Sequence, residues 1–452
     1  MRALALALLM LSFSSVALAG PIDDVPINEW YRIPNSPMVE VAFDWSPESS
    51  PGNARAIVRA WGGGAWDSRE NRMLVQGGGH GDYGGDEVYA MDLDVANDAP
   101  GTNPWARLSD PDARDALDPD CNNEDNLTDN DHRRSQHTYG RLAYVPSMHA
   151  LCDTGGSIGY TFCPALRQLD CFDLETNAWR LAIADGESSG TGSTGAVHSG
   201  TGEWWLLGGA SSGLLGRFDP ESTTWTYGAF DNVPASSPRN MTMAIDPNRN
   251  LLVVIGSGRM WALSLDEFQA GETELSELPV ESSGAVAIID TVAPGFDYDP
   301  GLDRFVAWDG GASVFTLDPE TWTWTEVVTA GDVPPEAQRR GTYGRFAYSV
   351  RYGVFVLVND AEDDVYVLRL GPPCADCDAG PGPIPDAGAR DAGEIDAAVD
   401  AGEIDAAVDA GGRGDADAET PGSSSGCGCR VARADATPGL LALVLLGLRR
   451  RT

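Results

Sequence analysis

Positive charge is scarce in this sequence. Its 452 residues include 30 Lys and Arg against 68 Asp and Glu, which gives a formal net charge of −38. Phosphate backbones are bound by basic surfaces, so this balance argues against a nucleic acid as partner. Much of the acid lies in the loop from 109 to 131 and in the stretch from residue 371 onward, where it indicates solubility more than recognition.

Signatures of several enzyme and metal classes are also missing. The sequence has no Ser-His-Asp elbow, no Walker-type phosphate loop and no dinucleotide fingerprint. The segment 118–129 spaces Asp118, Asp120 and Asn122 like a calcium loop, but its sixth position is Asn123 instead of glycine. An acidic surface loop is therefore the favoured interpretation. We expect no metal and no cofactor.

The N-terminal apolar run is too short for a membrane anchor. Residues 1–19 contain Arg2, an apolar stretch and the tripeptide Ala17-Leu18-Ala19 before Gly20, which is typical of a cleaved secretory signal peptide. A transmembrane helix is less favoured, because spanning a bilayer takes roughly 20 apolar residues. The protein is therefore expected to be exported.

The composition changes abruptly at residue 371. Residues 371–426 are rich in Asp, Ala, Gly and Pro, and AGEIDAAVD occurs in tandem at 392–400 and 401–409. Such a segment has too little apolar surface to offset the entropy of ordering it, and its like charges repel. We predict a disordered acidic linker.

The last segment, 427–452, has Cys427 and Cys429 in a cysteine motif, then a short apolar run and the arginines 449–451. This arrangement resembles the C-terminal sorting signals of some Gram-negative bacteria, most closely the myxobacterial type, in which a cysteine motif precedes a hydrophobic helix and an arginine cluster. The resemblance implies processing at the cysteine and display at the cell surface, associated with the outer membrane. A simple C-terminal membrane helix is the alternative, and in both cases the membrane is contacted only through this segment.

The eight cysteines fit an oxidising, exported setting. Four of them lie close together in the sequence and are expected to form two disulfides, with three pairings possible. These are Cys121, Cys152, Cys163 and Cys171. Cys374 and Cys377 pair with each other or fasten the chain end, and a single Cys-x-x-Cys is only a weak zinc signal.

Internal repeats are the strongest signal in the chain. Each repeat holds a short apolar strand, a Gly-Gly, a second strand ending on an aromatic residue, and then a tryptophan. In three repeats the aromatic leads the tryptophan by seven residues. These pairs are Phe172 and Trp179, Phe218 and Trp225, and Phe315 and Trp322. Another strand pair precedes each Gly-Gly, so each unit has four strands in roughly 40 to 55 residues, the period of propeller blades.

The final unit lacks its fourth strand and its tryptophan. An orphan strand near the N-terminus, NEWYRI, contains Trp30 and would complete the last blade, which removes open sheet edges. On this pattern the chain resembles a kelch-type propeller of the galactose-oxidase-like class over residues 28–370. The fold class is therefore all-β, a single propeller of six blades, or seven if residues 38–60 hide a degenerate blade.

The phase of the repeat brings several polar loops to one rim. In a propeller, the loop joining the second and third strands returns to the face where the inner strand begins. Two such segments are expected to lie side by side, and they form the candidate site. They contain His80, Asp82 and Tyr83 in the first unit, and His137, Tyr139 and Arg141 in the second.

The same phase places six arginines on or near this rim. They are Arg133, Arg134, Arg239, Arg259, Arg339 and Arg340. Arginine grips planar carboxylate or sulfate groups with two parallel hydrogen bonds, which indicates an anionic ligand. Alternatively, these arginines form structural ion pairs with acidic neighbours such as Asp82, Asp309, Asp360 and Glu362.

Two functions remain open. The first is a surface-displayed recognition module, expected to be a monomer, whose rim binds a carbohydrate or a surface protein. The second is a polysaccharide lyase for uronate glycans, in which arginine neutralises the carboxylate, histidine removes a proton and tyrosine protonates the leaving oxygen. His80, His137, Tyr139 and Arg141 are its candidate catalytic residues, while Asp82, Tyr83, Arg134, Arg239, Arg259 and Arg340 are candidates for ligand binding. A copper oxidase is less favoured, because the cysteines are committed to disulfides.

Overall fold

Six sheets, each a propeller blade built on four antiparallel strands, account for the strands of the described residues. The structure is a computed structural model, and it describes residues 19–46, 52–79, 82–112, 132–155, 168–185, 192–208, 214–229, 240–268, 271–272, 276–277, 286–374 and 377. The all-β propeller with six blades was predicted from the sequence and is confirmed.

Blades 1 to 3 follow one another along the first part of the chain. Blade 1 contains β2 (Gly64–Asp67), β3 (Arg72–Val75), β4 (Tyr89–Asp92) and β5 (Trp105–Arg107). Blade 2 contains β6 (Ala143–Val145), β7 (Ala150–Thr154), β8 (Gln168–Asp173) and β9 (Ala178–Asp185). Blade 3 contains β10 (Thr194–Val197), β11 (Trp204–Leu207), β12 (Leu214–Asp219) and β13 (Thr224–Ala229).

Blades 4 to 6 complete the ring. Blade 4 contains β14 (Met241–Asp246), β15 (Leu251–Gly256), β16 (Arg259–Ser264) and β18 (Ser276–Glu277). Blade 5 contains β19 (Gly295–Asp299), β20 (Arg304–Trp308), β21 (Ser313–Asp318) and β22 (Thr323–Val328). Blade 6 contains β24 (Phe346–Ser349), β25 (Val354–Leu357), β26 (Tyr366–Arg369) and β1 (Glu29–Arg32).

Helices are short and lie in the connections. The α-helices are α1 (Ala56–Arg59), α2 (Leu93–Asp98) and α3 (Val286–Asp290), and 3-10 turns occupy Met38–Val41, Pro146–Met148, Leu265–Glu267 and Tyr343–Arg345. No helix of the described residues is both long and apolar enough to span a bilayer.

The ring closes as the sequence predicts. β1 pairs antiparallel with β26, with Trp30 opposite Leu368 and Arg32 opposite Tyr366. The described part of 38–60 contains a 3-10 turn and α1 and no strand, so it adds no seventh blade.

Two sheets gain a fifth strand that the sequence pattern does not predict. β17 (Gly271–Glu272) adds to blade 3 in parallel with β13, and β23 (Ala330–Gly331) adds to blade 6 in parallel with β1. Each has two residues, too few for a period-2 pattern. Both cover an outer edge that would otherwise be open to pairing with another chain.

A shared aspartate turn joins strands on one face of the propeller. In six hairpins an aspartate Oδ1 accepts hydrogen bonds from the backbone N–H groups two and three residues later, at 2.8–3.4 Å. They are Asp67, Asp173, Asp219, Asp246, Asp299 and Asp318. The residue four positions later is left-handed in every case, with φ between 49° and 56°. Such turns let the side chain satisfy the backbone of a tight bend.

These turns correct one detail of the tryptophan spacing. Phe172 lies opposite Trp179 and Phe218 lies opposite Trp225, as the repeat requires. In blade 5, however, Trp324 lies opposite Leu317, while Trp322 occupies the left-handed turn position. The aspartate that starts the turn fixes the register, so the spacing of Phe315 and Trp322 is coincidental.

We call the face with these strand 1–2 and strand 3–4 turns the lower face, and the opposite one the upper face. Both ends of the propeller lie at the lower face. Arg369 at the end of β26 donates to the carbonyls of Val25 (2.7 Å) and Ile22 (3.0 Å) near the N-terminus. Pro373 lies against Gly353 in the turn between β24 and β25. The chain therefore leaves the propeller on the lower face.

Candidate functional site

The upper face carries a cluster of side chains from blades 1, 2 and 6. Asp82 lies in the loop between β3 and β4, His137 precedes β6, and Arg340 precedes β24. His137 Nε2 lies 3.0 Å from Asp82 Oδ2, and Arg340 Nη1 lies 3.6 Å from Asp82 Oδ1. The side chains of Asp82 and Arg340 are 34% and 37% exposed, whereas that of His137 is 6% exposed. Asp82 thus joins three blades at the surface.

A tryptophan that the sequence analysis did not single out completes this cluster. Trp61 precedes β2 and is partly buried. Its ring centre lies 4.8 Å from that of His137, and the Arg340 guanidinium carbon lies 3.9 Å from it, over the ring face. We call Trp61, Asp82, His137 and Arg340 the Trp61 site. It combines an aromatic face with a carboxylate, an imidazole and a guanidinium.

The backbone at Trp61 repeats in two other blades. Trp61, Tyr139 and Tyr343 lie three or four residues before the inner strands β2, β6 and β24, and their φ values are 51°, 49° and 50°. Tyr139 N–H donates to the Trp61 carbonyl at 2.7 Å, and the rings of Tyr139 and Tyr343 lie 5.8 Å apart. With Ala293 they form a small buried cluster. A sequence comparison of AWGG with the two TYGR segments would have found Trp61.

Arg141 lies beneath the surface rather than on it. Its guanidinium is fully buried and donates to the His137 carbonyl at 2.7 Å and to Asp153 Oδ1 at 3.3 Å. Burial lowers the pKa of Arg141 and raises that of Asp153. Arg345, in the second TYGR segment, donates in the same way to the carbonyl of Gly341 at 2.8 Å. These arginines hold the loops that carry the site.

A buried charged network extends from Arg141 into blade 2. Arg133 pairs with Asp170, its Nε lies 3.6 Å from Asp153 Oδ2, and all these side chains are 0% exposed. Gln136 donates to Asp153 as well. Arg133 was predicted near the rim, but it points into the blade.

Tyr83, a predicted ligand-binding residue, lies in the core. Its hydroxyl donates to Glu87 Oε1 at 2.5 Å and accepts from the Trp45 indole at 3.2 Å. Tyr89 donates to the same oxygen at 3.3 Å. Burial raises the pKa of Glu87 to about 7. Tyr83 therefore fastens the glycine-rich loop from inside, which leaves Asp82 on the surface.

The structure describes three of the four other predicted rim arginines. Arg134 is buried, while Arg259 and Arg339 are exposed. Structural ion pairs are common on this face: Arg59 contacts Asp360 at 2.7 Å and Glu362 at 2.6 Å. His80, Arg239, Cys121, Cys163, Cys427, Cys429 and the segment 118–129 lie outside the described residues.

The described cysteines are all in disulfides. Cys152 is joined to Cys171 across β7 and β8, and Cys374 is joined to Cys377. Of the three pairings left open, the structure therefore selects one that links Cys152 to Cys171. Among the described residues, no group of three or more His, Cys, Asp or Glu side chains is arranged to hold a metal ion.

A cavity of about 250 Å³ lies along the inner strands of all six blades. Near the lower end of the inner strand, each of five blades places an alanine against this cavity. Blade 5 has Asp297 at the equivalent position. Asp297 accepts hydrogen bonds from Tyr298 N–H and from Tyr348 N–H of the next blade, both at 2.8 Å. Burial raises its pKa to about 6. Asp297 thus fastens blade 5 to blade 6.

No protein-family model and no curated protein matches this sequence. Among solved structures, the chain is similar to an auxiliary nutrient binding protein from Bacteroides thetaiotaomicron, with 9% identity, TM-score 0.40 and 75% of each chain covered. It is also similar to a fungal alcohol oxidase of the AA5 family in complex with copper (12% identity, TM-score 0.41, 68% of this chain and 61% of the other). A third is YjhT (10% identity, TM-score 0.42, 67% and 92%). Similarities this distant say nothing about a shared activity.

Proposed function

We propose that this chain is an exported recognition module that binds a carbohydrate through the Trp61 site. The observation that carries the proposal is the meeting of a partly exposed indole with three polar side chains from three blades. An aromatic face buries the apolar side of a sugar ring, and precisely placed polar groups at its edge bind hydroxyls and fix the orientation.

The rigidity of the surroundings supports a binding role. The loops of the Trp61 site are fixed from below by Arg141, Arg345 and Tyr83, all of which are buried and hydrogen-bonded. A site held in place before the ligand arrives loses less entropy on binding. A protein partner is the other ligand class that such a rim fits.

A matched pair of tryptophan variants tests the proposal. Trp61 and Trp322 are both partly buried and both left-handed, but they lie on opposite faces of the propeller. A panel of neutral, acidic and amino polysaccharides is screened by isothermal titration calorimetry. Trp61→Ala should abolish glycan binding and Trp322→Ala should retain it. Equal loss in both variants, or no glycan bound by the parent protein, would refute the proposal.

A polysaccharide lyase acting on uronate glycans is the second candidate. The pairing of His137 with Asp82 favours it, because a carboxylate orients an imidazole for proton abstraction. Tyr139 lies beside His137, with ring centres 6.1 Å apart. In this candidate the uronate carboxylate of the substrate is neutralised by Arg340, since Arg141 is buried. Absorbance of the unsaturated product, lost in His137→Ala, is the readout that selects it.

The location we propose is the cell surface, associated with the outer membrane through residues 427–452. The Cys152–Cys171 disulfide is consistent with an extracellular setting. The acidic segment 371–426 would tether the propeller, which the chain leaves on its lower face. Removing 427–452 should release the protein into the medium. Size-exclusion chromatography of the released protein should show a monomer. Retention on the cells would refute this tether.

A further inference from the structure

Arg340 fills a place in the Trp61 site that is suited to a cation. The face of an indole ring attracts cations through its quadrupole, and a carboxylate beside the cation adds a negative charge. Arg340 occupies this place, with its guanidinium carbon 3.9 Å from the centre of the Trp61 ring and Nη1 3.6 Å from Asp82.

From this occupation we infer that the ligand is an amino sugar, a glycan whose pyranose rings carry a free, protonated amino group. The inference rests on the proposed function and specifies its ligand. On binding, the sugar ring stacks on Trp61 and its ammonium group takes the position of the Arg340 guanidinium beside Asp82. Arg340 swings aside into solvent.

The contacts of Arg340 are weak enough to be displaced. Its side chain is 37% exposed, and Asp82 is 34% exposed. Exposed ion pairs and cation–π contacts each contribute little to stability. In the free protein Arg340 thus contacts both the Asp82 carboxylate and the Trp61 ring, but a ligand can displace it.

The charge of the surroundings favours a cation over an anion. Carboxylates of blades 5 and 6 lie on the same face as Arg340, in the loops that carry Asp309, Glu336, Asp360 and Glu362. The nearby arginine Arg59 is already engaged by two of them. Such carboxylates raise the local concentration of cationic ligands and repel polyanionic glycans.

The experiment compares two hexasaccharides that differ only in the amine. A β-1,4-linked glucosamine hexasaccharide and its fully N-acetylated counterpart are titrated into the full chain at physiological salt. Asp82→Asn, Arg340→Ala and Arg339→Ala are tested alongside. Arg339 is an exposed neighbour with the same charge, so Arg339→Ala controls for the loss of one positive charge, and binding to the acidic linker is common to all variants.

The amine hexasaccharide should bind at least about tenfold tighter than the acetylated one, an advantage that Asp82→Asn removes. Arg340→Ala should tighten it about three- to tenfold, because the competing cation is gone. Arg339→Ala should not. If both hexasaccharides bind equally and Trp61→Ala abolishes this binding, the amino-sugar inference is wrong while the proposed function stands. Weaker binding of the amine hexasaccharide in Arg340→Ala would have the same meaning. Absence of binding by every glycan, with binding of an arginine-rich peptide instead, would overturn both.

Discussion

Trp30 lies opposite Leu368, which joins the start of the propeller to its last strand. The Trp30 side chain is 2% exposed and packs edge-on against Trp308 of blade 5, with ring centres 6.1 Å apart. One residue from the N-terminal strand therefore holds blade 6 closed and binds it to its neighbour.

Trp30→Ala should destabilise the whole propeller. Removing a buried aromatic side chain typically costs about 3–5 kcal/mol. Here it also weakens the packing of β1, the strand that closes the ring by pairing with β26. Chemical denaturation followed by tryptophan fluorescence measures the loss. Val328→Ala, at a side chain 72% exposed, is the control and should change stability little. A wild-type unfolding midpoint for Trp30→Ala would contradict the closure.

The closure and the blade count were predictable because they rest on local patterns. Short apolar strands, Gly-Gly bends and regular tryptophans recur through the chain, and one unit visibly lacks a strand that NEWYRI supplies. The addition of β17 to blade 3 and of β23 to blade 6 was not predictable, since a two-residue strand has no periodicity. The register of blade 5 was mistaken because Phe315 mimics the aromatic of other blades, while Asp318 sets the turn.

The aspartate turns can be tested at Asp219. Its Oδ1 accepts from Glu221 N–H at 2.9 Å and from Ser222 N–H at 3.4 Å. Asp219→Ala leaves both donors without this acceptor and should cost about 1 kcal/mol. Asp219→Asn keeps the oxygen and should cost less than half of that. Thermal unfolding of the two variants is the measurement. Equal losses would show that charge, and not the accepted hydrogen bonds, stabilises the turn.

Glu87 should make the protein less stable as the pH rises. Its pKa is raised by burial from 4.5 to about 7, so the folded state binds a proton that the unfolded state has released between these values. The resulting stability is complete below pH 4.5 and is lost as the pH passes 7, by up to about 3 kcal/mol. Urea unfolding at pH 5.5 and pH 8.5 measures the change.

Glu87→Gln should flatten this pH dependence, whatever its effect on stability at a single pH. Glu175→Gln, at an exposed glutamate, should leave the slope as in the parent protein. If Glu87→Gln keeps the parent slope between pH 5.5 and pH 8.5, then Glu87 is ionised in the folded protein and the assigned direction is wrong.

The candidate site was only partly predictable, because a loop's position does not tell where its side chains point. The repeat phase places Asp82, Tyr83 and His137 on one face, and two of them meet there. Tyr83 turns inward, since Trp45 and Glu87 offer it hydrogen bonds that only the folded chain brings together. Arg340 was predicted as one of several rim arginines, and its pairing with Trp61 depends on contacts between blades 1 and 6 that no local motif encodes.

Variants of Arg141 distinguish a structural role of this residue from a catalytic one. Its guanidinium is 0% exposed and faces Asp153, which is also 0% exposed. Arg141→Ala leaves that carboxylate with less compensating charge, and removing one partner of a buried ion pair typically costs about 3–5 kcal/mol. Arg141→Lys should restore little, because a lysine cannot reach both Asp153 and the His137 carbonyl as the planar guanidinium does. Arg340→Ala, at an exposed ion pair, should cost less than about 1 kcal/mol. Guanidinium chloride unfolding of the three variants measures these differences. A stable Arg141→Ala protein that loses only turnover of uronate glycans would instead place Arg141 in a catalytic role and contradict its assignment to the scaffold.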